Sequence, residues 1–102
     1  MIPIQIRTAA EAVGGSLLCE NGFEKNEIQD VVTDSRKITS GCLFIALKGE
    51  RFDGHDFIEQ SFQKGAVCAI AEKWENACPQ DGAVILVEDT RQALQSLAKY
   101  IR

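Results

Sequence analysis

The sequence predicts a single α/β domain, a small mostly buried sheet flanked by helices, on three observations. Three runs are apolar over strand length: CLFIAL from Cys42, AVCAIA from Ala66 and AVILVE from Ala83. Polar or glycine-bearing segments separate them, and the last segment places Ala93, Leu94, Leu97, Ala98 and Ile101 at helical spacing. Strands alternating with helices over 102 residues is the pattern of one α/β unit.

In chain order, Thr8 is expected to cap a short helix through Ala9, Ala10, Ala12 and Val13, which Gly14 and Gly15 stop. SLLCE from Ser16 reads as a short strand, Asn21-Gly22 as a turn, and the polar stretch to Asn26 as a loop. IQDVV, Ile28 to Val32, is strand-like, and CLFIAL follows as a buried strand. The polar loop KGERFDGHD comes next, directly after a buried strand, where α/β proteins usually place ligand contacts. A helix is expected from about Asp56 to Lys64, with Phe57, Ile58 and Phe62 on one side and Gly65 as its stop. AVCAIA, a loop with Trp74 and Pro79, AVILVE and the final helix complete the chain. No low-complexity tract or internal domain boundary is visible.

Composition narrows the function classes. A formal net charge of -4 and a sequence pI near 4.9 argue against a general binder of nucleic acid or anionic membrane, so any bound anion must be held by local groups. No basic n-region precedes a long apolar run and no segment reaches membrane-span length, which sets a cytoplasmic expectation. Cys19, Cys42, Cys68 and Cys78 are irregularly spaced and His55 is the only histidine, so neither a zinc site nor a disulfide framework is expected. Cys42 and Cys68 lie inside apolar runs and read as small buried hydrophobes. There is no GxxxxGK[ST], no GxGxxG after a strand, no HExxH and no GxSxG. By itself the chain does not carry the residues of a complete enzyme.

One pentapeptide occurs nearly twice, as VTDSR (Val32 to Arg36) and VEDTR (Val87 to Arg91). The second runs into QALQSLAKYIR, so Asp89 or Thr90 caps a helix and Arg91 is left to solvent in its first turn. The first runs into KITSG, too short and too β-branched to continue as a helix, and so presents its side chains from a loop. Ser35 there offers a hydroxyl, and Arg36 and Lys37 add charge suited to an anionic oxygen; the alternative is a plain Asx-type turn at a strand end. Arg36, Lys37, Lys48 and Arg51, four of the eleven basic residues, fall in the two loops flanking the strand from Cys42. Only the strand order decides whether those loops meet.

The stretch TDSRKITSGCLFIALKGERFDGHDFIEQSFQKGA resembles the N-terminal signature of the Mur ligases, cytoplasmic ATP-dependent amide ligases of bacterial peptidoglycan synthesis. The pattern is DSR, a short turn with glycine, LF-A-KG, then DGH-F and a helix ending in GA, and the resemblance covers essentially the whole chain. LKGERFDGHDF together with V-DT-AL-LA is most similar to the type that adds D-alanyl-D-alanine to UDP-N-acetylmuramoyl-tripeptide; the sister type that adds the third peptide residue is the runner-up. One departure is Cys42, where the family usually has aspartate, a change expected to touch a turn hydrogen bond rather than the ligand.

The resemblance implies that residues 1–102 are the domain binding the UDP end of the muramyl-peptide. The central domain, with the ATP phosphate loop and magnesium, and the C-terminal domain would lie outside this chain. In that chemistry ATP phosphorylates the terminal carboxylate of the substrate and the amine of D-Ala-D-Ala attacks the acyl phosphate, so this domain alone is expected to be inactive, to bind no cofactor and to be monomeric. Carried over by position, the UDP contacts fall on Thr33, Ser35, Arg36, Lys48, Gly49, Glu50, Arg51 and Phe52. Ser35 is expected to meet a diphosphate oxygen, and Arg36 and Lys48 to supply charge. Phe52 either packs near uracil or simply anchors its loop. Asp53-Gly54-His55 is expected to be a turn and helix cap, with Gly54 supplying an unusual backbone angle and His55 structural. The alternative from another class is a stand-alone interaction module that uses the exposed face of its last helix.

Overall fold

The computed structural model describes residues 3–18, 26–51, 53–75 and 82–101. The expected turn at Asn21-Gly22, Cys19, Cys78, Pro79 and Phe52 lie outside the described residues.

Four parallel strands follow one another both in sequence and in space: β4 (Asp30–Val32), β5 (Cys42–Ile45), β6 (Cys68–Ala71) and β7 (Ala83–Leu86). A fifth strand, β2 (Ser16–Leu18), adds antiparallel at the β7 edge with Leu17 opposite Ile85. The apolar runs therefore become the central strands. Every residue of β5 and β6 is buried, as expected of parallel strands covered on both faces.

Alternation along β5 sorts the core into two layers. Leu43 and Ile45 point to the face covered by α1 (Ile6–Val13) and α3 (Thr90–Ile101), where they join Ile6, Ala9, Ile70, Ile85, Ala93 and Leu97. Phe44 and Ala46 point to the opposite face, against Ile58 of α2 (Ile58–Gln63) with Phe57, Phe62 and Trp74 at the margin. The small residues Ala69 and Ala71 make room on that face for the aromatic rings.

Three local expectations are corrected. IQDVV is not one strand: β3 (Glu27–Ile28) pairs antiparallel with β1 (Ile4–Gln5), and only β4 joins the main sheet, Val31 opposite Leu43 and Val32 opposite Phe44. At the change of partner, Gln29 N–H bonds Gly41 O at 2.9 Å. The first helix begins at Ile6, two residues before Thr8, without a side-chain cap; Ile6 N–H is instead satisfied by Asn26 O at 2.9 Å. The helix expected from Asp56 starts as a 3-10 turn over Gly54–Phe57 and becomes α-helical at Ile58. The stops hold as read: Gly14 caps α1 at φ 65° and Gly65 follows α2 at φ 114°.

Candidate functional site

Parallel pairing of β4 with β5 settles where the two basic loops go. Both leave the carboxyl ends of neighbouring strands running the same way, Thr33 after Val32 and Ala46 after Ile45, so they emerge side by side at one edge of the sheet. Between them lies a pocket of ≈ 550 Å³. Thr33, Asp34, Ser35 and Arg36 form one wall; Phe44, Leu47, Gly54 and Phe57 form the floor and the other wall. A crevice outside the carboxyl ends of parallel strands is the usual ligand position of an open α/β sheet.

The first wall is shaped by Asp34. Its carboxylate accepts the Arg36 N–H at 2.9 Å and its carbonyl accepts the Lys37 N–H at 2.9 Å, which winds Ser35–Lys37 into a 3-10 turn. The same carboxylate takes Arg36 Nε at 3.1 Å and Nη2 at 2.9 Å, a bidentate pair. The Arg36 side chain and then the Arg36 N–H hold the Asp34 carboxyl down at about 2. Arg36 thus reaches the pocket already balanced by a carboxylate. Lys64, the residue that ends α2, steadies the turn, its Nζ donating to Ser35 O at 3.3 Å.

The second wall depends on an approach that excludes a side chain. Gly54 N–H bonds Leu47 O at 2.8 Å, and a Cβ on Gly54 would stand 2.7 Å from Leu47 N and 2.8 Å from Leu47 O. The glycine is needed for that proximity; its φ is not positive, which corrects the expectation of an unusual backbone angle. Lys48 and Asp53 close the loop between them as an antiparallel bridge.

Asp53 and His55 lock the foot of this loop. Asp53 accepts the His55 N–H at 3.0 Å and meets His55 Nδ1 at 2.6 Å. His55 Nε2 accepts the Glu72 N–H at 2.9 Å, so Nδ1 is assigned as the donor to Asp53. First the His55 N–H and then its ring lower the Asp53 carboxyl from its ordinary value. Glu72, at the end of β6, carries the network on: its carboxylate accepts the Thr90 N–H at 3.1 Å and hydroxyl at 3.3 Å. Both ring nitrogens of His55 are thus engaged within the fold.

Of the residues expected to bind, Thr33, Ser35 and Arg36 line the pocket. Lys48, Gly49, Glu50 and Arg51 belong to the adjoining loop rather than to the pocket lining; Lys48, Glu50 and Arg51 are exposed. Phe44 and Leu47 were readable only as buried strand and Phe57 only as a helix face, and nothing in their spacing marks them as pocket floor. Arg91 is a correction: although exposed, it is not left to solvent, because Nη2 donates to Lys48 O at 3.0 Å. Cys42, the departure from the family pattern, is buried at the amino end of β5, the end away from the pocket. Its N–H bonds Thr39 O at 3.3 Å within the turn. No group of three or more His, Cys, Asp or Glu side chains that could hold a metal occurs among the described residues, and no described helix is long and apolar enough to cross a membrane.

Comparison with known proteins gives one answer at three levels. The family described as "Mur ligase family, catalytic domain" matches residues 27–102. A UDP-N-acetylmuramoyl-tripeptide--D-alanyl-D-alanine ligase from Bacillus subtilis (strain 168) is 46% identical over 99 residues, covering 97% of this chain and 21% of the relative. A crystal structure of MurF from Acinetobacter baumannii superposes with a TM-score of 0.82 at 38% identity, over 96% of this chain and 21% of that one. MurF ligase from Thermotoga maritima, solved in complex with ADP, superposes with a TM-score of 0.61 at 37% identity, over 70% of this chain and 16% of that one. The chain spans about a fifth of the length of the first two of these relatives.

Proposed function

We infer that this chain, which belongs to the Mur ligase family, is the domain that binds the UDP end of the substrate in a ligase joining D-alanyl-D-alanine to UDP-N-acetylmuramoyl-tripeptide. One observation carries the reading: parallel β4 and β5 bring the TDSR turn to one wall of a pocket whose other side includes Leu47 and Gly54, the residues at the two ends of the KG…DG loop. Similarity to D-alanyl-D-alanine ligases over nearly the whole chain supports that type over the sister ligase that adds the third peptide residue.

The pocket suits a nucleoside diphosphate. Phe44, Leu47 and Phe57 give it an apolar floor for a planar or sugar group, and the Thr33 and Ser35 hydroxyls stand at its edge as donors. Ser35 is assigned to a diphosphate oxygen. Arg36 and Lys48 supply the charge, with Arg36 tempered by its Asp34 pair. Gly49, Glu50, Arg51 and Phe52 complete the contacts from the adjoining loop, Phe52 beside uracil.

Bond formation belongs elsewhere in the full-length protein. With no GxxxxGK[ST] segment in the sequence and no metal-holding group among the described residues, these residues do not fit ATP and magnesium. Phosphorylation of the tripeptide carboxylate and attack by the D-alanyl-D-alanine amine are assigned to further domains. The work of this chain is to bind and orient, in a monomer working in the cytoplasm.

Titration of the chain with UDP-N-acetylmuramoyl-tripeptide, followed by amide shifts, tests this. The expected result is perturbation at Thr33 to Arg36 and Gly49 to Gly54. Shifts confined to α3, or none at millimolar ligand, would overturn the assignment and favour an interaction module. With the full-length protein, turnover of the dipeptide-bearing nucleotide with a free amino acid would instead identify the sister ligase.

A further inference from the structure

We propose that Arg91 is a positioning residue for the loop from Lys48 to Asp53, an inference that rests on the substrate-binding reading of that loop. The loop leaves β5 and closes on itself at the Lys48–Asp53 bridge, so its geometry is set by what holds those two ends. Both are tied to the start of α3, by independent routes.

The Asp53 end is held through a chain of side-chain hydrogen bonds. Asp53 binds His55, His55 binds the Glu72 N–H, and the Glu72 carboxylate receives Thr90, the first residue of α3. The Lys48 end is held by the next residue along, with Arg91 Nη2 donating to Lys48 O across 43 positions of sequence. The base of α3 that carries Arg91 is itself fixed, since Asp89 accepts the N–H groups of Arg91 and Gln92 at 2.9 and 3.2 Å. The guanidinium-to-carbonyl bond is therefore the tie that holds the Lys48 end of the loop to α3.

The two routes differ in what their loss would do. Breaking the first disturbs half-buried groups and the core beneath them. Breaking the second removes one bond from an exposed side chain and leaves the sheet, α3 and its cap intact. A loop released at one end must be ordered by the ligand, which weakens binding without touching bond formation. This assigns different roles to the two copies of the repeated pentapeptide: the Ser35–Arg36 copy faces the ligand, and the Arg91 copy holds the loop opposite.

The test compares wild type, Arg91→Met and Arg91→Lys in the full-length protein. Arg91→Met keeps the apolar stem and loses the donor. It is expected to raise Kd and KM for UDP-N-acetylmuramoyl-tripeptide about tenfold. The kcat at saturation stays unchanged, and amide exchange quickens at Gly49 to Arg51 but not in β5 or β6. Arg91→Lys, which retains a shorter donor, recovers part of the affinity. Unchanged Kd in Arg91→Met, a loss confined to kcat, or faster exchange throughout β5 and β6 would each overturn the proposal. If the wild-type protein does not bind the nucleotide at all, the functional reading falls, while the exchange comparison still decides whether Arg91 holds the loop.

Discussion

Asp34 commits its carboxylate twice, to the N–H and to the guanidinium of Arg36, and its titration should report both bonds. Its carboxyl is lowered from 3.8 to about 2, the side-chain bond contributing most. A depressed acid stabilises the fold fully above its unfolded value and loses that contribution as pH falls through the folded one, here between 3.8 and about 2. The turn at Ser35–Lys37 should therefore keep its shape through neutral and mildly acidic pH. A carbon-detected NMR titration is expected to place the Asp34 midpoint near 2 in wild type and well above it in Arg36→Gln, which removes the largest cause. An unmoved midpoint in the variant would show that the Arg36 side chain is not what holds Asp34 down. At Gly54 the constraint is steric. Gly54→Ala sets a methyl against Leu47 backbone atoms at 2.7 and 2.8 Å, neither of which belongs to a flexible side chain. The expected cost is about 1–3 kcal/mol, measured by denaturant melts, with weakened nucleotide binding. A wild-type midpoint would mean that the loop gives way freely.

At the scale of elements, the start of α3 is the structural hub of the loop side, and Asp89 is the residue that makes it one. Its carboxylate satisfies two of the helix's free N–H groups, while Glu72 takes a third at Thr90. Asp89→Ala should cost about 1 kcal/mol of stability, and Asp89→Asn much less, because the amide oxygen still accepts. Equal losses in both variants would point to charge against the helix dipole rather than to the cap. This cap was legible from the sequence, as were the stops at Gly14 and Gly65, because each depends on residues a few positions apart. The boundary inside IQDVV was not. Nothing in the alternation of Ile28, Val31 and Val32 says that Ile28 pairs with Ile4 while Val31 pairs with Leu43; that follows from partners distant in sequence. The Thr8 cap failed for the same reason, since the N–H of Ile6 is met by Asn26, twenty positions on.

Across the whole molecule, what the sequence left open is what the strand order decides. The DSR and KG motifs could be identified by their residues, yet the emergence of their loops side by side depends on β4 and β5 being parallel neighbours, a relation no local pattern contains. Arg91 and the Phe44 and Phe57 floor were unreadable on the same ground. The core itself was transparent: the apolar runs became β5, β6 and β7, and their burial carries a global prediction. Cys42 and Cys68 are free and fully buried in adjacent strands, and burial pushes both thiols up from their ordinary range. A thiolate is what alkylating reagents attack, so both depressed ionisation and lack of access protect these sites. Both thiols are packed into the core, Cys42 with Val32 and Ala66 and Cys68 among Leu43, Ile70 and Ala83. Labelling by iodoacetamide in native buffer should then require global unfolding and run at least about 10³-fold slower than in the denatured chain, as expected for a domain stable by ~5 kcal/mol or more. Urea below the transition should accelerate both sites in parallel, with the full equilibrium slope. Labelling of Cys68 independent of urea would show a local opening between β5 and β6, and with it a sheet whose middle strands are not its most stable part.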